Sequence, residues 1–390
     1  MSIETAIRDA IFEVILPAYA DPSSEFVCRV WPGQAIDARQ YGNAWSPTNP
    51  TGTTAATENL SALVDSIPNL SNTYSKSGRR VEDTYQQVVT FGHAKLSPGL
   101  DAPGELNVAL RKNVTNFADD FGPTPVIPAA IATEINERTE TDVTTPDGNV
   151  IHTIVLSPDA KSEVELVRKH ADQAALLRAL NAIKERYPAA ERPAIQAQVA
   201  EAEQSTAKAL SLLQGVQSKK TRLLNMSLSR SPSDGDPPSI DSAFYKARTM
   251  FEKSFSSSLK DPLLQYHPSY LSPEDWTDKQ ASEDWNVITI PIQVDSSRVN
   301  LSVTFSRVDI TRPWFLMSLF DLADWATNQE AGSLSSGNAQ NNPGSFSLLP
   351  LSMIVARGIR AVDSGGTALF QANGLQVLAW LNKLMPFSPH

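Results

Sequence analysis

Residues Ser157–Ser229 constrain this 390-residue chain more than any other stretch, because they read as two long helices folded back on each other. Leu156 closes an apolar, β-branched run, and Ser157-Pro158-Asp159-Ala160 follows it. A serine hydroxyl accepts a first-turn N–H, and proline suits the first helical position, where no N–H is needed. Asp159 and Glu163 add negative charge near the positive end of the helix dipole. Val164, Val167, Ala171, Ala174, Leu177, Leu180 and Ile183 then recur at three- and four-residue steps. The helix is expected to stop at Tyr187, because Pro188 disfavours helix in the residue before it.

The short link from Pro188 to Pro193 implies antiparallel neighbours. In the second arm Ile195, Val199, Ala202, Thr206, Ala209, Leu213 and Val216 alternate steps of four and three, and the register continues through Lys220 to Leu223. That is a heptad seam over about four repeats. At about 1.5 Å per residue each arm reaches roughly 45–55 Å. A charged, alanine-rich hairpin of that length projects from a globular body or lies across it. Its candidate self-association residues are Ile195, Val199, Leu213, Val216, Leu177 and Leu180. Neither arm has the ~20 consecutive apolar residues that span a bilayer, so insertion would need a multimer burying the polar faces.

Hydrophobic content of 41% supports a real core. A net charge of −10 and a pI near 5.1 argue against non-specific binding to nucleic acid. The one cysteine, Cys28, rules out an intramolecular disulfide and a disulfide-linked framework; set in an apolar run, it is expected to be a buried, inert thiol. Glu4, Asp9 and Glu13 interrupt the first apolar run, so it does not read as a signal peptide. The expectation is a soluble protein, cytoplasmic or released without a cleaved signal.

Residues 1–138 read as mainly helical, with helices at Ser2–Leu16 (followed by Pro17), Thr57–Ile67, Val81–Phe91, Gly104–Phe117 and Ala129–Glu137. They also hold a short strand at Phe26–Trp31 and a turn-rich loop from Trp31 to Thr54, pinned by Trp31 and Trp45. Residues 139–230 comprise a β-hairpin around Pro146-Asp147-Gly148 and the helical hairpin. A Ser/Pro/Asp/Gly-rich linker fills 231–239. Residues 240–390 are β-rich, with a helix at Ile240–Ser258, an irregular Leu263–Trp276, and strands at Trp285–Val294, Arg298–Ile310 and Leu348–Val362; Leu375–Leu384 is a closing strand or short helix. In Val299–Ile310 the apolar set moves from Val299, Leu301, Val303 and Phe305 to Val308 and Ile310, which predicts a bulge near Ser306-Arg307. Asn328–Ser347 reads as a mobile polar loop. The fold class is α+β: a helical N-terminal part, a long antiparallel helical hairpin inserted between β segments, and a β-rich C-terminal part. Strands at 139–156 and 285–310 are expected to share one sheet.

No catalytic, cofactor or metal residue is assigned. The five histidines lack metal-ligand spacing, and no phosphate-binding glycine loop or nucleophile elbow occurs. Glu274-Asp275 and Glu283-Asp284 each precede a tryptophan, an arrangement seen in sugar-cleaving sites. Ser272-Pro273-Glu274-Asp275 fits a capped helix start better. Arg312-Pro313-Trp314-Phe315 reads as a cation–π lock in preference to a binding edge; Trp314 and Phe315 complete the interaction candidates. The expected function is a non-catalytic structural protein that self-assembles through its hairpin and sheet edges, with itself as partner and no nucleic acid. One alternative is a pore-forming protein that oligomerises on lipid, resting on the hairpin and the apolar Phe315–Leu322 segment. The other is an enzyme whose site is dispersed along the chain.

Overall fold

The computed structural model describes residues 2–20, 25–94, 138–156, 158–228, 240–261, 263–278, 285–322 and 325–386. The helices expected at Gly104–Phe117 and Ala129–Glu137, and the 231–239 linker, lie outside them. Helix α1 (Ile3–Ala10) starts where the Ser2 hydroxyl accepts the Thr5 N–H at 3.3 Å. The helix does not stop before Pro17. A π turn at Ile11–Ile15 carries it into α2 (Leu16–Tyr19). Proline has no N–H and its ring crowds the carbonyl four residues back; a wider π turn takes up that mismatch. The result is one long face on which Ile7, Ile11, Val14, Ile15, Leu16 and Tyr19 are all buried.

Strand β1 (Glu25–Ile36) also outruns the expected end at Trp31. A register shift between Arg29 and Gln34 passes it over Pro32-Gly33. Gly33 sits at φ +113°, and a side chain there would run into Gln376. Then come α3 (Thr54–Val64), the paired β2 (Ser66–Pro68) and β3 (Lys76–Arg80), α4 (Val81–Phe91) and β4 (His93–Ala94). Strands β5 (Arg138–Thr144) and β6 (Val150–Leu156) form a separate two-stranded sheet, turned at Gly148 with φ +86°. They do not join the strands at 286–311, contrary to the expectation that the two would share one sheet. The helical hairpin is α5 (Pro158–Lys184, 27 residues) and α6 (Arg192–Leu228, 37 residues). Helix α7 (Ile240–Lys253) follows, then the paired β7 (Ser256–Ser257) and β8 (Gln265–Tyr266), and β9 (Tyr270–Ser272). The long strands are β10 (Asn286–Val294), β11 (Ser297–Thr311), β13 (Leu348–Asp363) and β14 (Ala368–Leu384); β12 (Trp325–Ala326) pairs with β4.

The main sheet is antiparallel throughout, in the order β1-β14-β13-β11-β10, with β9 also pairing with β11. With the main sheet wholly antiparallel and the long helices outside it, the fold is α+β. Its edge strand β1 comes from the N-terminal region.

Strand β11 explains how the two sheet faces are used. Val299, Leu301, Val303 and Phe305 are fully buried with Ile288, Ile290, the α1–α2 helix and the hairpin base. Val308 belongs to the opposite core, with Leu60 and Val64 of α3, Trp276, Val355 and Trp380. The bulge predicted at Ser306-Arg307 is absent: β11 and β13 stay in register from Thr304↔Arg357 to Asp309↔Ser352. The shift lies earlier, between Ser302 and Thr304, with the extra residue on β13 near Gly358 at φ +66°. Successive side chains point to opposite faces of a strand, so Phe305 and Ser306 can both be buried without a break. What changes along β11 is which face is covered.

A third core joins α4, α7 and the segment after β11 through Tyr85, Phe244, Phe251, Trp314, Phe320 and Phe346. The Phe315–Leu322 segment is part of it: Leu316, Leu319, Phe320 and Leu322 are buried. Asn328–Ser347 is packed as well. Leu334 and Phe346 enter this core, the Ser335 hydroxyl donates to the Met385 carbonyl at 2.6 Å, and Asn342 Nδ2 donates to Ser335 at 2.9 Å. Two apolar anchors and a chain of side-chain hydrogen bonds hold a stretch whose composition alone reads as mobile.

Candidate functional site

The hairpin lies across the body. Ala175, Ala179, Leu180 and Ile183 of α5 share one core with Ile11, Ile15, Ile288 and Ile290, and Leu177 packs half-buried against it. Both terminal nitrogens of Arg298 donate to Glu191 in the link, at 2.7 Å each. That contact holds the Glu191 carboxyl below its usual range. The Arg298 guanidinium also sits 5.6 Å from the Tyr187 ring, and the Tyr187 hydroxyl donates to the Thr289 carbonyl at 2.7 Å. The link end of the hairpin is therefore fastened to strands β10 and β11.

Helix α6 buries a single stripe: Ile195, Val199, Ala202, Ala209 and Leu213, with Val216 half-buried at its far end. This is the heptad seam read from the sequence, and it is occupied from within the chain. Ile195 and Val199 reach the main core, as Leu180 does. In α5 the expected seam holds only in its second half, since Val164, Val167 and Ala171 are exposed. Among the described side chains, the large apolar ones left facing outward on the hairpin are Val164, Val167, Leu210 and Leu212, the last 51% exposed.

Trp314 and Phe315 are not brought near the hairpin seam. Trp314 is buried and its indole N–H donates to the Pro268 carbonyl at 3.0 Å. Phe315 stacks on Phe320 with ring centroids 5.6 Å apart. Arg312 forms a lock, though not with a ring: its two terminal nitrogens donate to the carbonyls of Val64 and Pro350, each at 2.7 Å. Burial pushes its pKa down to about 10.

The sheet edges are blunted. The β10 carbonyl at Thr289 points outward to Tyr187. Residues two apart on a strand present their backbone groups to the same side, so Pro291 also faces outward and offers no donor there. On β1, the Arg29 N–H donates to the Asn72 carbonyl and the Tyr74 N–H to the Arg29 carbonyl.

A cavity of about 810 Å³ opens beside the first half of α5. Its origin is topological. Strand β10 pairs with β11 as far as Phe305, and β9 takes over only at Asp309, so the two leave a gap along the same edge. Asn286 and Ser272, which flank the gap, both line the cavity. One wall is α5, with Lys161, Glu165, Arg168, Lys169 and Asp172. The facing elements contribute Ser46, Thr48, Glu274 and Asp275. Leu156, Leu166 and Leu271 give it apolar surface.

Within the cavity Arg168 pairs with Asp172 at 3.3 Å. Residues Pro273–Thr277 form a turn after β9 and not the expected helix start. Glu274 instead takes two hydroxyls on Oε1, from Ser46 at 3.1 Å and from Thr48. Glu283-Asp284 lies outside the described residues. Sequence reading missed Lys161, Ser46 and Thr48 altogether; the only local signal was the pair of acids before Trp276.

Cys28 is buried, and burial pushes its thiol up to about 12. His267 is buried against Phe251, with Nδ1 2.6 Å from Glu82 Oε1 and Nε2 2.7 Å from the Phe251 carbonyl. His152 contacts Asp142 at 2.9 Å. Among the described residues no group of three or more His, Cys, Asp or Glu is placed to hold a metal ion, and no helix is long and apolar enough to cross a membrane. No protein-family model, curated protein or solved structure matches the chain.

Proposed function

We propose that the chain is a non-catalytic assembly protein that self-associates through the outer half of α6. The observation that carries this reading is the exposed pair Leu210 and Leu212, set beside the buried Ala209 and Leu213. Single exposed leucines are ordinary on a protein surface. These two sit on opposite flanks of the buried stripe that Ala209 and Leu213 continue along α6. Each offers a second copy an apolar contact beside the seam. The blunted edges of β1 and β10 favour the hairpin over the sheet as the contact. The lipid-dependent alternative loses its apolar segment, because Phe315–Leu322 contributes to the core.

The test is mass by light scattering over a range of concentrations, with and without liposomes. The wild type is expected to give a lipid-independent multiple of 42.4 kDa. Replacing Leu210→Glu and Leu212→Glu together is expected to return it to the monomer mass. A wild type that stays monomeric at every concentration, or a double variant that keeps the larger mass, overturns the reading.

A further inference from the structure

We propose that the cavity between α5 and the β9–β10 gap is a binding site for a short peptide with free termini, whose ammonium meets Glu274 and whose carboxylate meets Lys161. Small-molecule sites are typically about 300–1,000 Å³, part apolar, with a few placed polar groups. This cavity has about 810 Å³ and all of those parts. A sphere of that volume is about 12 Å across, and three extended residues span about 10 Å. The space therefore suits a tripeptide better than a single amino acid.

The charges specify the ligand. Glu274 is held from one side: Ser46 and Thr48 both donate to Oε1, and Oε2 has no hydrogen bond among the described residues. It meets no cation there either. Hydroxyls orient a carboxylate without neutralising it, which leaves an open oxygen for an N–H-bearing cation. On the other wall, Lys161 forms no ion pair among the described residues. The two opposite charges line one cavity and do not touch. A ligand that carries both signs at its two ends satisfies both. One with a single charge leaves Lys161 or Glu274 facing the wrong partner or none. Leu156, Leu166 and Leu271 give an apolar wall for a central side chain. This inference is independent of self-association, since the cavity lies on α5 and the sheet edge and the proposed contact lies on outer α6.

The experiment is calorimetric titration of the full chain with the tripeptide Ala-Leu-Ala, with its N-acetyl form and with its C-terminal amide. Saturable binding of the free peptide is expected, and each cap should weaken it about tenfold, the cost of one charged contact. Glu274→Gln should bind the free and acetylated peptides equally, and Lys161→Met should bind the free and amidated peptides equally. Glu274 is exposed and Lys161 half-buried, and tryptophan fluorescence checks that each variant folds. No saturable binding up to about 10 mM, or equal affinity of the wild type for free and capped peptides, overturns the proposal. A variant that still binds and still discriminates its own cap as the wild type does also overturns it.

Discussion

Ile183→Ala tests whether the helical hairpin is part of the body or an arm attached to it. Ile183 is fully buried where α5 meets the N-terminal helix and the sheet. The substitution removes three carbons, roughly 2.4 kcal/mol of transfer free energy at about 0.8 per buried CH₂. Three packed elements limit collapse, so a residual void of about 60 Å³ adds roughly 1.4 kcal/mol. The expected loss is about 4 kcal/mol, a large fraction of the roughly 5–15 kcal/mol that holds a typical protein folded. Leu213→Ala removes the same number of carbons from a seam between two helices at the surface. The void there closes easily, and the loss is expected to be about 2 kcal/mol. All seven tryptophans lie outside the hairpin, so fluorescence follows the body, while far-UV circular dichroism is weighted toward the helices. In urea, Ile183→Ala should lower the midpoint equally by both probes with an unchanged slope. If the fluorescence transition stays at the wild-type midpoint while the dichroism moves, the hairpin base is not part of the core and the reasoning fails.

Two further outcomes follow from single residues. Burial pushes Asp65 up to about 6, against 3.8 unperturbed, although Arg80 Nε donates to it at 2.6 Å and the Glu82 N–H at 2.9 Å. The folded state then holds that proton more tightly than the unfolded chain. The contribution is fully present below about pH 4 and is lost as pH rises through about 6, amounting to about 3 kcal/mol; urea midpoints across that window should fall with pH in the wild type and flatten in Asp65→Asn. Gly215 lies in α6 with open space around the position of a Cβ, so Gly215→Ala should stabilise by about 0.5–1 kcal/mol. Gly92 abuts the buried Phe244 ring, and Gly92→Ala should cost about 1–3 kcal/mol; thermal melts of the two variants should move in opposite directions.

The parts of the fold legible in the sequence are those set by backbone periodicity. The α6 seam from Ile195 to Leu213, the α4 bounds and the β5–β6 pairing all follow from period and turn chemistry. The first half of α5 did not follow: Val164, Val167 and Ala171 continue the stripe in the sequence but are exposed, because that half borders the cavity and not the core. Strand β11 shows the same limit. Its alternation was read correctly, but the change from Phe305 to Val308 reflects a second layer covering the other face, which no local pattern encodes. The Arg312 corner looked aromatic because Trp314 and Phe315 follow it; its partners, the Val64 and Pro350 carbonyls, come from elsewhere in the fold.

The cavity lies further still from the sequence. It exists because β10 stops pairing with β11 before β9 begins, and strand lengths alone do not show where two partners of one strand will part. Glu274 illustrates the consequence. In the sequence it sits one residue after a proline and two after a serine, which suits a helix start. In the fold the cis Ser272–Pro273 peptide leads into a turn, and the hydroxyls that hold the carboxylate come from Ser46 and Thr48, more than two hundred residues away. In a helix start Ser272 would be the cap and Glu274 a first-turn acid beside the backbone N–H groups. The turn leaves one oxygen of Glu274 open to a cavity that also contains Lys161, which forms no ion pair among the described residues, and it is this pairing across space that gives the site its expected preference for a ligand charged at both ends.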